Sequence, residues 1–258
     1  MKRLPLTFAC EDSTLAGTLD TAPASVGLLI VSGGNEIRAG AFSGQAQLAA
    51  RIQKAGFPVF RFDRRGVGDS EGENLGFRKS RKDIVAALDA FRAITPQMNR
   101  VVGFGNCDAA SALMLARGAG CDALVLSNPW TIEGDDDAIP PPETVRARYA
   151  EKLRNPKELA RLVTGKVDLG KLARGIAKAA LPKSAPSSLA QEIKTGLDAF
   201  GGPVRILLAD ADRTAQAFAS AWDPADQRVA YCKGATHAYV EPDAREWLYQ
   251  QLLAALRA

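Results

Sequence analysis

The sequence predicts an α/β protein in which a mainly parallel sheet is covered on both faces by helices. Three observations lead there. Apolar runs of four to six residues recur along the chain, each the length of a buried strand. Segments with apolar residues at helical spacing lie between those runs. Turn residues mark the boundaries, as Gly56 does just after the helical pattern that ends at Ala55.

Taken in order, residues 4–9 and 14–19 read as a hairpin turning at Glu11-Asp12-Ser13. The run VGLLIV at 26–31 reads as a strand buried on both faces, broken by Ser32-Gly33-Gly34-Asn35. A helix is expected over 43–55, where Leu48, Ala49, Ile52 and Ala55 share a face. The alternation continues with strand 59–62, helix 80–94, strand 100–104, helix 108–117 and strand 123–127. It resumes with strand 204–209, helix 214–221, strand 228–232 and helix 242–257. Between them, residues 134–200 open with Asp135-Asp136-Asp137 and Pro140-Pro141-Pro142, then read helical at 145–153, 156–163 and 169–181. The expected organisation is a core of residues 1–133 and 201–258 with a helical cap inserted at 134–200. Residues 144–196 hold 12 Lys and Arg against 4 Asp and Glu. That excess fits a solvated helical face, or attraction of an anionic substrate.

Composition narrows the function. A chain of 258 residues suits one large domain, or one domain with an insertion. No stretch approaches the ~18 apolar residues of a membrane-spanning helix. The net charge of +4 is too mild to indicate nucleic acid. Cys10, Cys107, Cys121 and Cys232 are too scattered for a disulfide scaffold or a zinc cluster, and His237 is the single histidine. No metal and no cofactor are therefore expected. The apolar run after Met1-Lys2-Arg3 contains Pro5 and stops at Glu11-Asp12, too short for a signal-peptide core, so a reduced, cytoplasmic protein is expected.

One turn carries the first chemical signal. Gly105-Asn106-Cys107-Asp108-Ala109 sits between a hydrophobic strand and an Ala-rich helix. A nucleophile elbow is such a strand-to-helix turn, usually Gly-x-Ser-x-Gly, with small flanking residues because backbone passes close by. Here the centre is Cys107 and the last glycine is replaced by Ala109. A helix N-terminus favours a thiolate, although a cysteine is as often a small buried hydrophobe. His237 falls in the loop before the last helix, where a base could take the Cys107 proton. Asp210 and Asp212 follow strand 204–209, and Asp212 is better placed to turn back over the sheet. The order nucleophile, acid, histidine is the α/β-hydrolase order. Oxyanion donors are expected from the Asp108 N–H and from the loop after strand 26–31, Gly34 first and Asn35 second. Arg38 on that loop either clamps an anionic substrate or is exposed to solvent.

The segment from Phe60 to Gly72 (FRFDRRGVGDSEG) looks like the Asp-x-Arg-Gly-x-Gly-x-Ser turn of α/β-hydrolases, to which a structural role is assigned. With these motifs the chain resembles the α/β-hydrolase superfamily over nearly its whole length. The stretches Gly33 to Gly40, Arg61 to Gly72 and Cys107 to Ala112 are similar to the exosortase A system-associated hydrolases, departing at Asn35-Glu36-Ile37. That resemblance implies an α/β-hydrolase fold and a cytoplasmic hydrolase beside bacterial exopolysaccharide and protein-sorting loci, with cysteine as nucleophile. The function expected is cleavage of a small-molecule ester, thioester or lactone by Cys107, Asp212 and His237. The alternative is a slow or inactive relative that binds or accepts an acyl group. Haloalkane dehalogenase and epoxide hydrolase chemistry is excluded, because it needs a carboxylate where Cys107 stands.

Overall fold

The computed structural model describes residues 2–133 and 187–258. Its strands are β1 (Arg3–Cys10), β2 (Ser13–Asp20), β3 (Val26–Val31), β4 (Val59–Phe62), β5 (Arg100–Asn106), β6 (Ala123–Ser127), β7 (Val204–Ala209) and β8 (Val229–Cys232). The helices are α1 (Gly44–Lys54), α2 (Arg81–Ile94), α3 (Asp108–Leu115), α4 (Ser188–Asp198), α5 (Arg213–Ala221) and α6 (Pro242–Arg257). The strands form one sheet in the order β1-β2-β4-β3-β5-β6-β7-β8. The β1–β2 hairpin is antiparallel and β2 meets β4 antiparallel; every later pairing is parallel. The fold is that of the α/β-hydrolases.

Alternation along β3 divides the core. Leu28 and Ile30 point to the face covered by α1 and α6, with Ile52, Val102, Leu248 and Leu252. Leu29 and Val31 point to the other face, with Phe60, Phe91, Leu113, Ile193 and Phe218. Because both faces are covered, these strands are apolar throughout rather than alternating. The chain leaves β3 for β4 on one side and returns to β5 on the other, so the loops after β3 and β5 lie at the switch point of the sheet, where ligand crevices form.

Three details differ from the sequence reading. Strand β5 continues to Asn106, since its parallel partner β6 pairs as far as Ser127. Helix α3 stops at Leu115 because the following turn bends through Gly118 and Ala119 at positive φ. Residues 188–198, inside the range read as an insertion, form α4. Its Leu189, Ala190, Ile193 and Leu197 are buried, and Ser187 caps it by accepting the Ala190 N–H at 3.1 Å. The helices expected at 145–153, 156–163 and 169–181 lie outside the described residues. Among the described residues, no helix is long and apolar enough to cross a membrane.

Candidate active site

Strand β5 ends at Asn106 and α3 begins at Asp108, leaving Cys107 alone in the turn with φ 62° and ψ −128°. A side chain held there costs about 1–3 kcal/mol and persists only where the surroundings over-determine it. They do so here. The Cys107 N–H donates to the Ser127 carbonyl at 2.9 Å, and the Cys107 carbonyl accepts from Ala110 at 3.1 Å and Trp130 at 3.3 Å. The turn also needs small neighbours. A Cβ on Gly105 would stand 2.7 Å from the Ala109 carbonyl carbon, and one on Gly33 would stand 2.7 Å from the Asn106 oxygen.

Cys107 is half-buried, whereas Cys10, Cys121 and Cys232 are buried. Burial pushes those three thiols up, Cys121 to about 12.

His237 lies in the loop after β8, and its Nδ1 is 2.9 Å from Asp212 Oδ2. Asp212 is also the N-cap of α5, with the same oxygen accepting the Ala215 N–H at 3.1 Å. The carboxylate is thus fixed by the helix start before it meets the imidazole. His237 is raised from 6.5 to about 10 by its hydrogen bond to Asp212 and then by the one to Cys107, against desolvation. Asp210 faces elsewhere: its Oδ1 accepts the Gly234 N–H at 2.6 Å. The structure brings Cys107, His237 and Asp212 together and leaves Asp210 on the turn after β8.

The oxyanion-loop residues are placed differently from one another. Gly34, at φ 54°, lies beside the elbow, but its N–H donates to the Asp108 carboxylate at 2.6 Å. Arg64 closes the triangle, donating to the Gly34 carbonyl and lying 3.5 Å from Asp108 Oδ2. Asn35 is exposed, and its side-chain oxygen accepts from Asn74 at 2.8 Å. Arg38, read from the sequence as either an anion clamp or a solvent-exposed residue, is part of a brace in the structure. Its guanidinium donates to buried Asp63, to Asp69 at 2.8 Å and to Thr18 at 3.0 Å. Arg61 donates to the Arg38 carbonyl at 2.6 Å and pairs with Asp20 at 3.2 Å. The acceptors lie 25 and 31 residues beyond Arg38, so the local sequence did not reveal them.

Two positioning residues escaped the sequence reading. The side-chain amides of Asn106 and Asn128 both donate to the His237 carbonyl, at 3.1 and 3.3 Å. Asn128 also donates to Asn106 Oδ1 at 3.0 Å and accepts the Ala209 N–H at 2.8 Å. It sits at φ 44°, a backbone that Asn tolerates better than most residues. The available signal was Ser127-Asn128-Pro129 ending an apolar strand, a polar residue where the sheet stops. Beside this network, Ser127 and Tyr239 share a buried hydroxyl contact at 2.8 Å.

A cavity of about 210 Å³ opens between the loop after β3 and the His237 loop. It reaches Asn106 and Ala238 beside the catalytic candidates, and its apolar wall includes Phe42, Leu48, Phe104 and Leu248. Among the described residues, no group of three or more His, Cys, Asp or Glu is placed to hold a metal ion.

The model of the Alpha/beta hydrolase family matches residues 28–251. The chain is similar in structure to the alpha/beta hydrolase GrgF from Penicillium sp. sh18, at 17% identity and TM-score 0.64, over 98% of this chain and 97% of that one. It is similar to Est1E from Butyrivibrio proteoclasticus, a structure with ferulic acid bound, at 17% identity and TM-score 0.59, over 96% and 99% of the two chains. It is also similar to XC6422 from Xanthomonas campestris, described as an α/β serine hydrolase without lid, at 15% identity and TM-score 0.60, over 100% and 97%. No curated protein matches the chain.

Proposed function

The chain belongs to the alpha/beta hydrolase family, and from that premise we propose that it cleaves an ester, thioester or lactone through an acyl-enzyme on Cys107. The observation that carries this reading is the hydrogen bond of His237 to Asp212, with Cys107 on a strained elbow beside that imidazole. In this reading His237, oriented by Asp212, takes the Cys107 proton and so generates the nucleophilic sulfur.

In the proposed first step the thiolate attacks the carbonyl carbon. A C–S bond forms, and the carbonyl π pair moves to oxygen, where the Asp108 N–H and the Gly34 N–H are the candidate donors. The tetrahedral adduct collapses, breaking the bond to the leaving alcohol or thiol, which takes the His237 proton. Neutral His237 then removes a proton from water as its oxygen attacks the acyl carbon. The second adduct collapses to the acid and the Cys107 thiolate, with His237 again protonated. Asp212 holds the ring and stabilises its charge throughout.

The cavity favours an apolar group on the substrate. Its volume of about 210 Å³ exceeds the roughly 150 Å³ of an engineered cavity that admits benzene. The basic stretch 144–196 adds a preference for an anionic group elsewhere on the molecule. The motif resemblance extends the reading to a cytoplasmic enzyme of bacterial exopolysaccharide and exosortase systems.

Intact-mass trapping tests the proposal, using acyl esters and thioesters of varied length and charge, including a feruloyl ester. The expected result is a single acyl addition that turns over and is absent from Cys107→Ala. Stoichiometric acylation without turnover would instead favour an acyl-accepting protein. An adduct surviving in Cys107→Ala would overturn the reading.

A further inference from the structure

We infer that the Asp108 side chain occupies the oxyanion site of the resting protein and must transfer to Arg64 before an acyl group can bind. This rests on the Cys107 acyl-enzyme reading. The Gly34 N–H lies across from the elbow, where a second oxyanion donor is needed, yet it donates to Asp108 Oδ1 at 2.6 Å. A carboxylate oxygen there imitates the oxyanion that the site is built to hold. It also competes for the donor and repels negative charge developing on the substrate.

The receiving group is next to it. Asp108 Oδ2 is 3.5 Å from an Arg64 Nη2 that already donates to the Gly34 carbonyl. Arg64 is buried, and its Nη1 has no hydrogen-bond acceptor among the described residues. A buried guanidinium with an unused donor beside a loosely paired carboxylate leaves one favourable displacement. As the carboxylate moves onto Arg64, the Gly34 N–H becomes free and the negative charge is neutralised away from the carbonyl oxygen. The loop keeps its position, because Arg64 still holds the Gly34 carbonyl. Asp108 therefore acts twice: its backbone N–H serves the oxyanion, and its side chain decides when the partner donor is available.

The test is the rate of Cys107 acylation by p-nitrophenyl acetate, followed by rapid mixing and confirmed by mass. Removing the blocking carboxylate in Asp108→Ala should accelerate acylation about 10-fold, the scale of one charge-assisted hydrogen bond. Asp108→Asn keeps an acceptor for Gly34 but loses the charge drawn to Arg64, so it should be no faster than wild type. Arg64→Met should slow wild type about 10-fold and have a smaller effect in the Asp108→Ala background, where only its hold on the Gly34 carbonyl is lost; a double-mutant cycle reads the difference directly. Unchanged thermal midpoints show that each variant folds. If Asp108→Ala is slowed as much as Arg64→Met, the contact is only a structural tie and the inference fails while the Cys107 reading stands. If Cys107 is acylated in no variant, wild type included, that reading fails and acyl-driven transfer fails with it. Hydrogen exchange then still judges the resting contact: the Gly34 amide should be protected in wild type and at least 10-fold less so in Asp108→Ala. An unprotected Gly34 in wild type would contradict it.

Discussion

The loop after β3 and the loop after β8 meet over Cys107, and different forces hold them. The first is tied by charge, through Arg38 to Asp63 and Asp69, Arg61 to Asp20, and Arg64 to the Gly34 carbonyl. The second is tied beneath by neutral groups, the amides of Asn106 and Asn128 on the His237 carbonyl and the Ser127–Tyr239 hydroxyl pair. Besides the catalytic candidate Asp212, charges meet it at the rim, where exposed Asp210 accepts the Gly234 N–H at 2.6 Å and Glu241 accepts the Thr236 hydroxyl at 2.7 Å. The difference follows from what each loop must do. A charged brace beneath His237 would shift the imidazole whose proton has to move, whereas Asn side chains fix the backbone and leave that proton to Asp212 and Cys107. The loop after β3 offers backbone donors only, so ion pairs can hold it.

The largest expected break in this comparison is chemical. Asp212→Asn should lower kcat/KM by about four orders of magnitude, while Asp210→Asn, which loses only a turn contact, should stay within about threefold, on the scale of one net hydrogen bond. Steady-state kinetics on a chromogenic ester reads both. A larger loss from Asp210→Asn would reassign the carboxylate.

Stability separates the two anchors next. Asp63→Asn leaves the partly buried Arg38 cation with only the exposed Asp69 carboxylate and should cost up to about 3–5 kcal/mol. Asn128→Ala strands the Ala209 N–H and removes a bond to His237, for about 1–3 kcal/mol. For a chain of this size each kcal/mol moves the thermal midpoint by about 2–4 °C. Salt sharpens the contrast further. Between 0.1 and 1 M, amide exchange should rise in residues 33–40, where Arg38 pairs with exposed Asp69, and stay constant in residues 234–240. Equal sensitivity would remove the distinction.

Two smaller effects probe the site itself. His237 gives the only imidazole resonance of the chain. It should titrate far above its unfolded value of about 6.5, near about 10, and fall in Asp212→Asn. Since folding raises this pKa, the pair's contribution to stability is complete below pH 6.5 and is lost as pH rises through about 10. Limiting iodoacetamide should label Cys107 before Cys10, Cys121 and Cys232, whose thiols burial holds protonated. Equal labelling would argue against an activated sulfur.

How much of this was legible in the sequence depended on distance along the chain. Strand β3 and the elbow at Cys107 are local patterns, a buried apolar run and a small-residue turn, and both lie where the residues indicated. The side chains of Arg38 and Asp108 were opaque for the same reason. Their partners, Asp63 and Gly34, are distant in sequence and become neighbours only when β3, β4 and β5 align. Helix α4 was not resolved as a separate core element because its amphipathic face, Leu189, Ile193 and Leu197, follows a long basic stretch that was read together with it as a helical cap insertion. Asn128 carried only the weak signal of a polar residue at a strand end, and its function depends on a carbonyl 109 residues away.

Quench-flow acylation followed by peptide mapping tests the central claim most directly. The acyl group should appear on Cys107 alone, with a rate constant at least equal to kcat, and should fail to accumulate in His237→Ala. Acylation slower than turnover, label on another residue, or hydrolysis retained by Cys107→Ala would contradict a cysteine nucleophile activated by His237.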